Sequence, residues 1–452
     1  MLPKRLMHSF CRTGWPLAML GALMSWSSAA HADSAALNSG DTAWLLTSSV
    51  LVLAMTLPGL FLFYGGLARS KNVLSVLMHC FSITAIVSVL WVLYGYSLAF
   101  DDTGMHAGEL NVHSFIGGLS HFGLLDLTPG ALHGTVPESV WIMFQMTFAI
   151  ITPSLIVGAF AERMKFSAML WFSVLWVSLA YLPMAHMVWG GDGAFMGSDW
   201  GVIDFAGGTV VHINSGIAGL VACLMLGRRK GYPTQHLAPH NLTYTVIGGS
   251  LLWLGWFGFN AGSAAAANGS AGMAMLVTQV ATAAAALAWM SLEWFRSGKP
   301  SVLGAVTGAV AGLVAVTPAA GTCGPLGAIV LGAVTSVVCF FTSTTVKHAF
   351  GYDDAFDVFG VHGTGGIVGS ILTAVCAAPL FGGSGNGAAD YAMGVQLWAQ
   401  VKGVIFTVIY SGVISYVILR VLKSTLGLRV SEEAEATGLD LAEHSERGYN
   451  SL

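Results

Sequence analysis

Long apolar stretches separated by short polar loops repeat along most of the chain. A helix that spans a membrane needs about 20 predominantly apolar residues, and from Asp41 onward the pattern predicts eleven such helices. The eighth stretch is short and rich in glycine. The predicted fold is an all-α membrane protein with helices at residues 42–66, 73–99, 137–160, 166–187, 204–226, 242–263, 272–295, 302–317, 325–346, 358–379 and 394–422.

Basic residues lie in alternate loops, and this alternation predicts the orientation of the chain. Every loop that follows an even-numbered helix lacks Lys and Arg. The mature N-terminus is therefore expected in the periplasm and the C-terminus in the cytoplasm, which requires an odd number of helices. Lys402 lies inside the last helix, near its outer end, where its side chain can reach the membrane surface. The basic residues that follow odd-numbered helices are Arg69, Lys71, Arg163, Lys165, Arg228, Arg229, Lys230, Arg296, Lys299, Lys347, Arg420, Lys423 and Arg429.

The first 32 residues have the pattern of a secretory signal peptide. Basic residues precede an apolar core at 15–24, and Ala30-His31-Ala32 fits a cleavage site. The alternative is an additional membrane helix, but this apolar core is too short to span. The predicted domains are a signal peptide at 1–32, a transmembrane domain at 33–425 and a cytoplasmic tail at 426–452. Secretion of this type places the protein in a bacterial inner membrane.

Composition agrees with a membrane protein rather than a soluble one. Of 452 residues, 55% are hydrophobic and 9% are charged, whereas soluble domains carry about 25% charged residues. The 57 glycines suit a helix bundle, because small residues let membrane helices approach closely. A net charge of −4 does not indicate nucleic acid as a partner. This composition predicts that the protein lies in a lipid bilayer.

A faint internal repeat places one histidine in each half of the chain. Residues 211–219 (VHINSGIAG) and 361–369 (VHGTGGIVG) share Val, His, Gly, Ile and Gly at the same offsets, and Asp204 and Asp357 precede them. Chance is the alternative, since Gly and Val are abundant here. Five helices separate the two copies, and an odd number inverts the topology. Transporter sites commonly lie between such inverted halves, near the membrane midplane.

His212 and His362 are the first candidate functional residues. An ionisable residue inside a membrane helix is costly and is a functional candidate for that reason, although a single buried histidine is more often structural. Two at equivalent positions favour a role in a pore. Imidazole donates with one nitrogen and accepts with the other, and it exchanges protons near neutral pH. Two facing rings would form a hydrogen-bonded pair in a dry pore.

Two other positions, Asp204 and Trp189, have both a structural and a functional interpretation. Asp204 can cap the fifth helix or bias a nearby cation site, and capping is favoured. Trp189 can be an interfacial anchor or a cation–π surface, and the sequence favours the anchor. Phe148 and Phe259 are expected to be ordinary core residues.

The sequence indicates no metal site, cofactor or enzymatic activity. The outer loop contains four histidines whose spacing fits no metal-ligand motif. The cysteines form no CxxC pair and are expected to be small core residues. Neither a P-loop nor a G-x-S-x-G or HExxH motif is present. The residues concerned are His106, His113, His121, His133, Cys11, Cys80, Cys223, Cys323, Cys339 and Cys376.

Four segments carry a resemblance to a known family. They are residues 204–219 (DFAGGTVVHINSGIAG), 64–73 (YGGLARSKNV), 255–263 (GWFGFNAGS) and 357–363 (DVFGVHG). From about Ala43 to its C-terminus the chain resembles the ammonium transporter family, which includes the rhesus-type proteins. Trp189 and Ser263 together resemble the bacterial branch.

The resemblance implies a site, and the chemistry of that site suggests a mechanism. Trp189, Phe148 and Ser263 would form an outer recruitment site for ammonium, with Asp204 beneath it. Phe148 and Phe259 would stack as a gate, and His212 and His362 would line a hydrophobic pore. Because a dry pore passes neutral ammonia far better than the ion, our own hypothesis is that ammonium loses its proton at the entrance. The proton would follow separately along the histidines, which would make transport electrogenic. Methylammonium is a possible second substrate.

The resemblance also implies an assembly and a partner. The family fold has two inverted five-helix repeats and a long final helix outside them, and it forms homotrimers with one pore per subunit. A PII signal protein is expected at the cytoplasmic face, where the tail packs. Many relatives have Pro where this chain has Ser431, so a looser start to the tail is expected. The alternative functions are an ammonium sensor and a rhesus-like channel for neutral gas.

Overall fold

The computed structural model describes residues 36–235, 237–387 and 390–449. The expected signal peptide at 1–32, with Cys11, lies outside them. Helices lie at all eleven predicted positions, and ten of these are long and apolar enough to cross a membrane. The helices are α1 Ser39–Leu67, α2 Ser70–Phe100, α3 Glu138–Phe160, α4 Phe166–Trp189, α5 Gly208–Leu226, α6 Leu242–Gly262, α7 Gly269–Ser297, α8 Val302–Val316, α9 Pro325–Phe350, α10 Phe359–Cys376 and α11 Met393–Thr425.

Shorter elements lie in the loops and in the tail. The loop between α2 and α3 ends in a two-stranded antiparallel hairpin, β1 Leu132–His133 and β2 Val136–Pro137. The tail contains α12 Glu432–Thr437 and α13 Leu439–His444. The all-α membrane fold predicted from the sequence is confirmed, because strands occupy only these four of the described residues. Single helical turns lie at Val112–Ser114, Phe122–Leu124, Phe195–Asp199, Pro379–Phe381 and Gly385–Gly387.

Helix α8 is packed inside the bundle against α7. A Cβ at Gly308 would lie 2.5 Å from Trp289 Cβ, and one at Gly312 would lie 2.6 Å from Ala285 Cβ. The glycines that made this stretch unusual in the sequence therefore let two helices approach closely, as in other membrane bundles. Its start is capped by Ser301, whose Oγ accepts the Gly304 N–H at 2.8 Å.

Helices α5 and α10 cross at two glycines in equivalent positions of the repeat. A Cβ at Gly216 would lie 2.2 Å from the Gly363 nitrogen, and one at Gly366 would lie 2.9 Å from the Ile213 nitrogen. Each glycine lies four residues after its histidine, so it shares a face with that histidine. The crossing therefore brings His212 and His362 together.

The tail is ordered and lies against the start of α2. The Ser75 N–H donates to Asp440 Oδ1 at 2.7 Å, and Glu435 Oε1 accepts the Lys230 N–H at 2.6 Å. Ser431 does not loosen the tail, because its Oγ caps α12 by accepting the Ala434 N–H at 3.1 Å. Burial raises the pKa of the Asp440 carboxyl, and its hydrogen bonds with the first amides of α2 oppose that rise.

Candidate functional site

A pocket of about 180 Å³ lies at one end of the bundle, between α3, α4 and α6. Its wall combines aromatic rings with two uncharged polar side chains. An aromatic face attracts a cation. An oxygen atom accepts a hydrogen bond from a cation that carries N–H groups. The pocket brings together three of the predicted recruitment residues, Trp189, Phe148 and Ser263. The remaining lining residues are Trp141, Gln145 and Phe205.

Ser263 presents its oxygen as an acceptor. It lies just after the end of α6, and its Oγ donates its hydrogen to the Phe259 carbonyl at 2.7 Å. Because that proton is occupied, the lone pairs of the hydroxyl remain available. A ligand that donates hydrogen bonds can therefore use Ser263, and one that only accepts them cannot.

Trp189 is held by the segment that precedes α5. Its Nε1–H donates to the Asp204 carbonyl at 2.8 Å, so the indole edge is fixed. The adjacent Ile203 is held in turn by Gln400 of α11, which accepts the Ile203 N–H and donates to the Ile203 carbonyl, both at 2.8 Å. Gln400 also donates to the Ser370 carbonyl at 2.9 Å. Helix α11 thus fixes the segment that holds Trp189 in the wall of the pocket.

Two phenylalanines close the inner side of the pocket. The rings of Phe148 and Phe259 have centroids 4.3 Å apart and an angle of 36° between their planes. Both side chains are buried. The Phe259 ring also stacks on His212, at 6.0 Å and 25°. The aromatic pair therefore lies between the pocket and the first histidine.

The two histidines face each other across the helix crossing. Their Nδ1 atoms lie 3.3 Å apart and their ring planes differ by 20°. One Nδ1 must donate and the other accept, so the two rings carry their protons on different nitrogens. His212 Nε2 has no hydrogen-bond partner among the described residues. Each histidine lies in a π-helical turn, at Gly208–Ile213 and Phe359–Gly363, a feature frequent at functional sites.

Beyond the histidines lies a second cavity of about 170 Å³. His362 and Val361 line it together with Tyr64, Arg229 and Asp357. Contacts therefore run from the aromatic pocket through the phenylalanine pair and the two imidazoles to this cavity. The two cavities are separated by packed side chains.

Asp204 caps α5 with both of its carboxylate oxygens. Oδ1 accepts the Gly207 and Gly208 N–H groups at 2.8 and 2.6 Å, and Oδ2 accepts those of Thr209 and Val210 at 2.7 and 3.1 Å. These are amides that a helix start leaves unsatisfied. Its carbonyl oxygen, rather than its carboxylate, contacts Trp189.

The residue equivalent to Asp204 in the second half is Asp354, so the pairing with Asp357 made from the sequence is wrong. Asp354 is buried, and its Oδ2 accepts the Phe359 N–H at 2.7 Å at the start of α10. Asp357 instead forms an ion pair with Lys347 at 2.8 Å. The sequence contained the correct signal, because Asp204 and Asp354 each lie eight residues before a histidine.

Two glutamines were also missed by the sequence analysis. Gln145 shares one face of α3 with Trp141 and Phe148, at the spacing of four and three residues that brings side chains together, and this spacing could have identified it. Gln400 gives no comparable signal, because its partners lie 197 and 30 residues away in the chain.

A bundle with a buried histidine pair between two cavities, at the crossing of repeat-related helices, defines a polytopic membrane transport protein. The family model described as Ammonium Transporter Family matches residues 43–449. The chain therefore belongs to the ammonium transporter family.

Individual relatives agree with this assignment. Ammonium transporters of Aquifex aeolicus (strain VF5) and Bacillus subtilis (strain 168) are 49% and 47% identical to this chain. The first alignment covers 96% of this chain and 99% of that relative, and the second covers 91% and 98%.

Solved structures share the fold. A protein named Sensor Amt Protein has a TM-score of 0.80 at 28% identity, covering 90% of this chain and 98% of that one. Candida albicans Mep2 has a TM-score of 0.77 at 33% identity, covering 88% and 87%.

Proposed function

We propose that this protein carries ammonium across the bacterial inner membrane, with the outer pocket in the periplasm and the tail in the cytoplasm. The observation that carries the proposal is the buried His212–His362 pair, which lies between an aromatic pocket and a second cavity. The alternation of basic loops supports the orientation. The names of the relatives support the substrate.

Recruitment begins at the outer pocket. The faces of Trp189 and Phe148 attract the cation, an interaction worth about 2 kcal/mol or more when desolvated. Ser263 Oγ accepts one hydrogen bond from it, since the hydroxyl proton is already donated to Phe259. Potassium can use the aromatic faces but donates nothing to Ser263. Asp204 adds negative charge beneath the pocket while capping α5.

The region below the pocket favours the neutral molecule. Moving an intact ion into a medium of low dielectric costs tens of kcal/mol by idealised estimates. Deprotonation of ammonium at pH 7 costs only about 3 kcal/mol, with a pKa of about 9 and ~1.4 kcal/mol for each pH unit. Ammonia therefore passes the Phe148–Phe259 gate and the histidines, whereas an ion that cannot lose its charge does not.

The proton moves separately along the histidine pair. One imidazole accepts it from the pocket side while the other releases it toward the inner cavity, and the hydrogen bond between the Nδ1 atoms links the two steps. Each net charge that crosses gains about 2.3 kcal/mol per 100 mV of membrane potential. Transport is therefore electrogenic.

The experiment that tests this function is ammonium-evoked current from proteoliposomes adsorbed on a solid support. Purified protein should give a current with ammonium chloride and none with potassium chloride. Absence of an ammonium current, with ammonia still equilibrating faster than in empty liposomes, would support the rhesus-like neutral gas channel instead. Failure of both measurements would support a sensor.

Assembly and regulation belong to the same proposal. We propose a homotrimer with one pore per subunit, and a PII signal protein bound at the cytoplasmic face beside the ordered tail. The family resemblance supports both, and the docked tail supplies a defined surface. Native mass spectrometry should give three subunits. PII protein should bind the detergent-solubilised trimer, and ADP or 2-oxoglutarate should change that binding; no binding with any nucleotide would contradict it.

A further inference from the structure

Gln145 is the most polar side chain in the wall of the outer pocket. It lies on α3 four residues after Trp141 and three before Phe148, so all three share one face of the helix. Only 7% of its surface is exposed. A carboxamide in this position, deep in a membrane protein, would normally be held by hydrogen bonds.

The carboxamide oxygen of Gln145 has no hydrogen-bond partner among the described residues. A buried acceptor left unpaired costs about 1–3 kcal/mol, so a donor that enters the pocket would recover that cost. The terminal torsion of Gln is broad. Turning Oε1 toward the pocket breaks no protein hydrogen bond, because this oxygen accepts none.

Ammonium complements such a wall. The ion has four N–H donors, and Ser263 Oγ accepts one of them. A second oxygen opposite an aromatic wall would hold the ion in one orientation. Potassium needs a full shell of oxygens in place of its water, and two oxygens do not supply one.

We propose that Gln145 is a substrate-binding residue of the outer pocket, where its side-chain oxygen accepts a hydrogen bond from the ammonium ion beside Ser263. The inference rests on the proposed transport function and adds a ligand to the site. Gln145 contacts the ion only before deprotonation, so it sets how tightly the pocket binds the ion rather than how fast ammonia crosses the pore.

The test compares two substitutions that act in opposite directions. Q145M keeps the size of the side chain and removes the oxygen, so the ammonium concentration for half-maximal current should rise about tenfold, the effect of losing one hydrogen bond to a charged group. Q145E replaces the carboxamide with a carboxylate. The ammonium concentration for half-maximal current should therefore fall, and potassium should begin to compete with ammonium for the pocket. In Q145M, the maximal current should change by less than about twofold.

Two controls separate binding from structure. Q279M changes a glutamine of α7 whose Oε1 accepts the Trp253 indole N–H outside the pocket, and it should leave the half-maximal concentration unchanged. W141F removes the indole N–H of Trp141, the other polar group of the wall that has no hydrogen-bond partner in the described part of the chain. If Gln145 acted only by bonding that indole, W141F and Q145M would give the same shift, and the inference would be overturned.

The outcome can be distinguished from failure of the transport function. A wild-type current with unchanged half-maximal concentrations in Q145M and Q145E would overturn the inference alone. If the wild type gives no current, calorimetric titration of the solubilised protein with ammonium chloride tests the same ligand. Weaker binding by Q145M and tighter binding by Q145E would then support it, and equal binding by all three would overturn it.

Discussion

The Nδ1 atoms of His212 and His362 lie 3.3 Å apart although the residues are 150 positions apart in the chain. Each sits in a π-helical turn, and each is followed four residues later by the glycine at which α5 and α10 cross. The hydrogen bond between the rings therefore depends on how closely the two helices approach. That dependence gives the first prediction.

G216A should strongly reduce transport while leaving a membrane-inserted protein. The new methyl group would lie 2.2 Å from the Gly363 nitrogen and 2.3 Å from its Cα, so the backbones must separate, at a cost of about 1–3 kcal/mol. Separation lengthens the Nδ1–Nδ1 hydrogen bond. Ammonium-evoked current should fall by about tenfold or more per molecule of reconstituted protein.

The matched control is G412A on α11. A Cβ there would meet only Ile217 Cγ2, at 3.6 Å, which is an ordinary contact. Its current should equal that of the wild type. Equal currents from G216A and the wild type would show that the close crossing is not needed.

Substitution of Asp204 distinguishes capping from direct binding of the cation. D204A leaves four buried amides without an acceptor, and hydrogen bonds to a charged group contribute about 1.5–3 kcal/mol each. D204N keeps one oxygen and should be intermediate. The thermal midpoint of the solubilised protein should therefore fall in the order wild type, D204N, D204A.

A carboxylate that acted mainly as a cation ligand would behave differently. D204N would then keep the wild-type thermal midpoint and show only weaker ammonium binding. That result would contradict the assignment of Asp204 as a cap.

Q400L should damage the outer pocket from a helix that does not line it. The change leaves the N–H and carbonyl of Ile203 and the carbonyl of Ser370 buried without their partner, at roughly 1–3 kcal/mol for each group. The Asp204 carbonyl that orients Trp189 is one residue away. We expect a lower thermal midpoint and a half-maximal ammonium concentration raised by about threefold or more.

Q396L serves as the control for Gln400. Gln396 lies one turn earlier on α11, is only half-buried, and donates to the Gly201 carbonyl at 2.8 Å and to Gln400 Oε1 at 3.2 Å, but among the described residues it makes no hydrogen bond with Ile203 of its own. Its loss should have a smaller effect on both quantities. If Q396L and Q400L change the thermal midpoint and the half-maximal concentration equally, the hydrogen bonds between Gln400 and Ile203 do not control the pocket.

D440A should release the tail without changing transport. Asp440 accepts the Ser75 N–H at the start of α2, a helix start where a carboxylate is stabilising by about 0.3–1 kcal/mol or more. Limited proteolysis of the solubilised protein should cut the tail faster in D440A than in the wild type. Rapid cutting of the wild-type tail would contradict the docked arrangement.

The positions of the helices could be predicted from the sequence because the signal is local. Each apolar stretch is bounded by charges or glycines, so the observed helices begin and end within a few residues of the predicted ones. The histidine pair was also predictable, since a repeated motif separated by five helices implies that its two copies face each other. Asp354 could also have been predicted, because it lies at the same offset from its histidine as Asp204 does, but the nearest aspartate was chosen instead.

Other features depended on contacts that no local pattern contains. Gln400 acts on a segment 197 residues away, and only the packing of α11 brings the two together. The reason for the glycines of α8 became visible only in its close approach to α7.

The central claim is that a pore closed by packed side chains passes ammonia while a histidine pair carries the proton. The most direct test is current from the double variant H212A/H362A, recorded with ammonium and with potassium beside the wild type. A matched control is H79F, because His79 is another buried histidine, stacked on Phe166 at 13° and outside the pore. We predict that the double variant loses the ammonium-evoked current or begins to conduct potassium, while H79F behaves as the wild type. A double variant that keeps the full ammonium current and still excludes potassium would contradict the account.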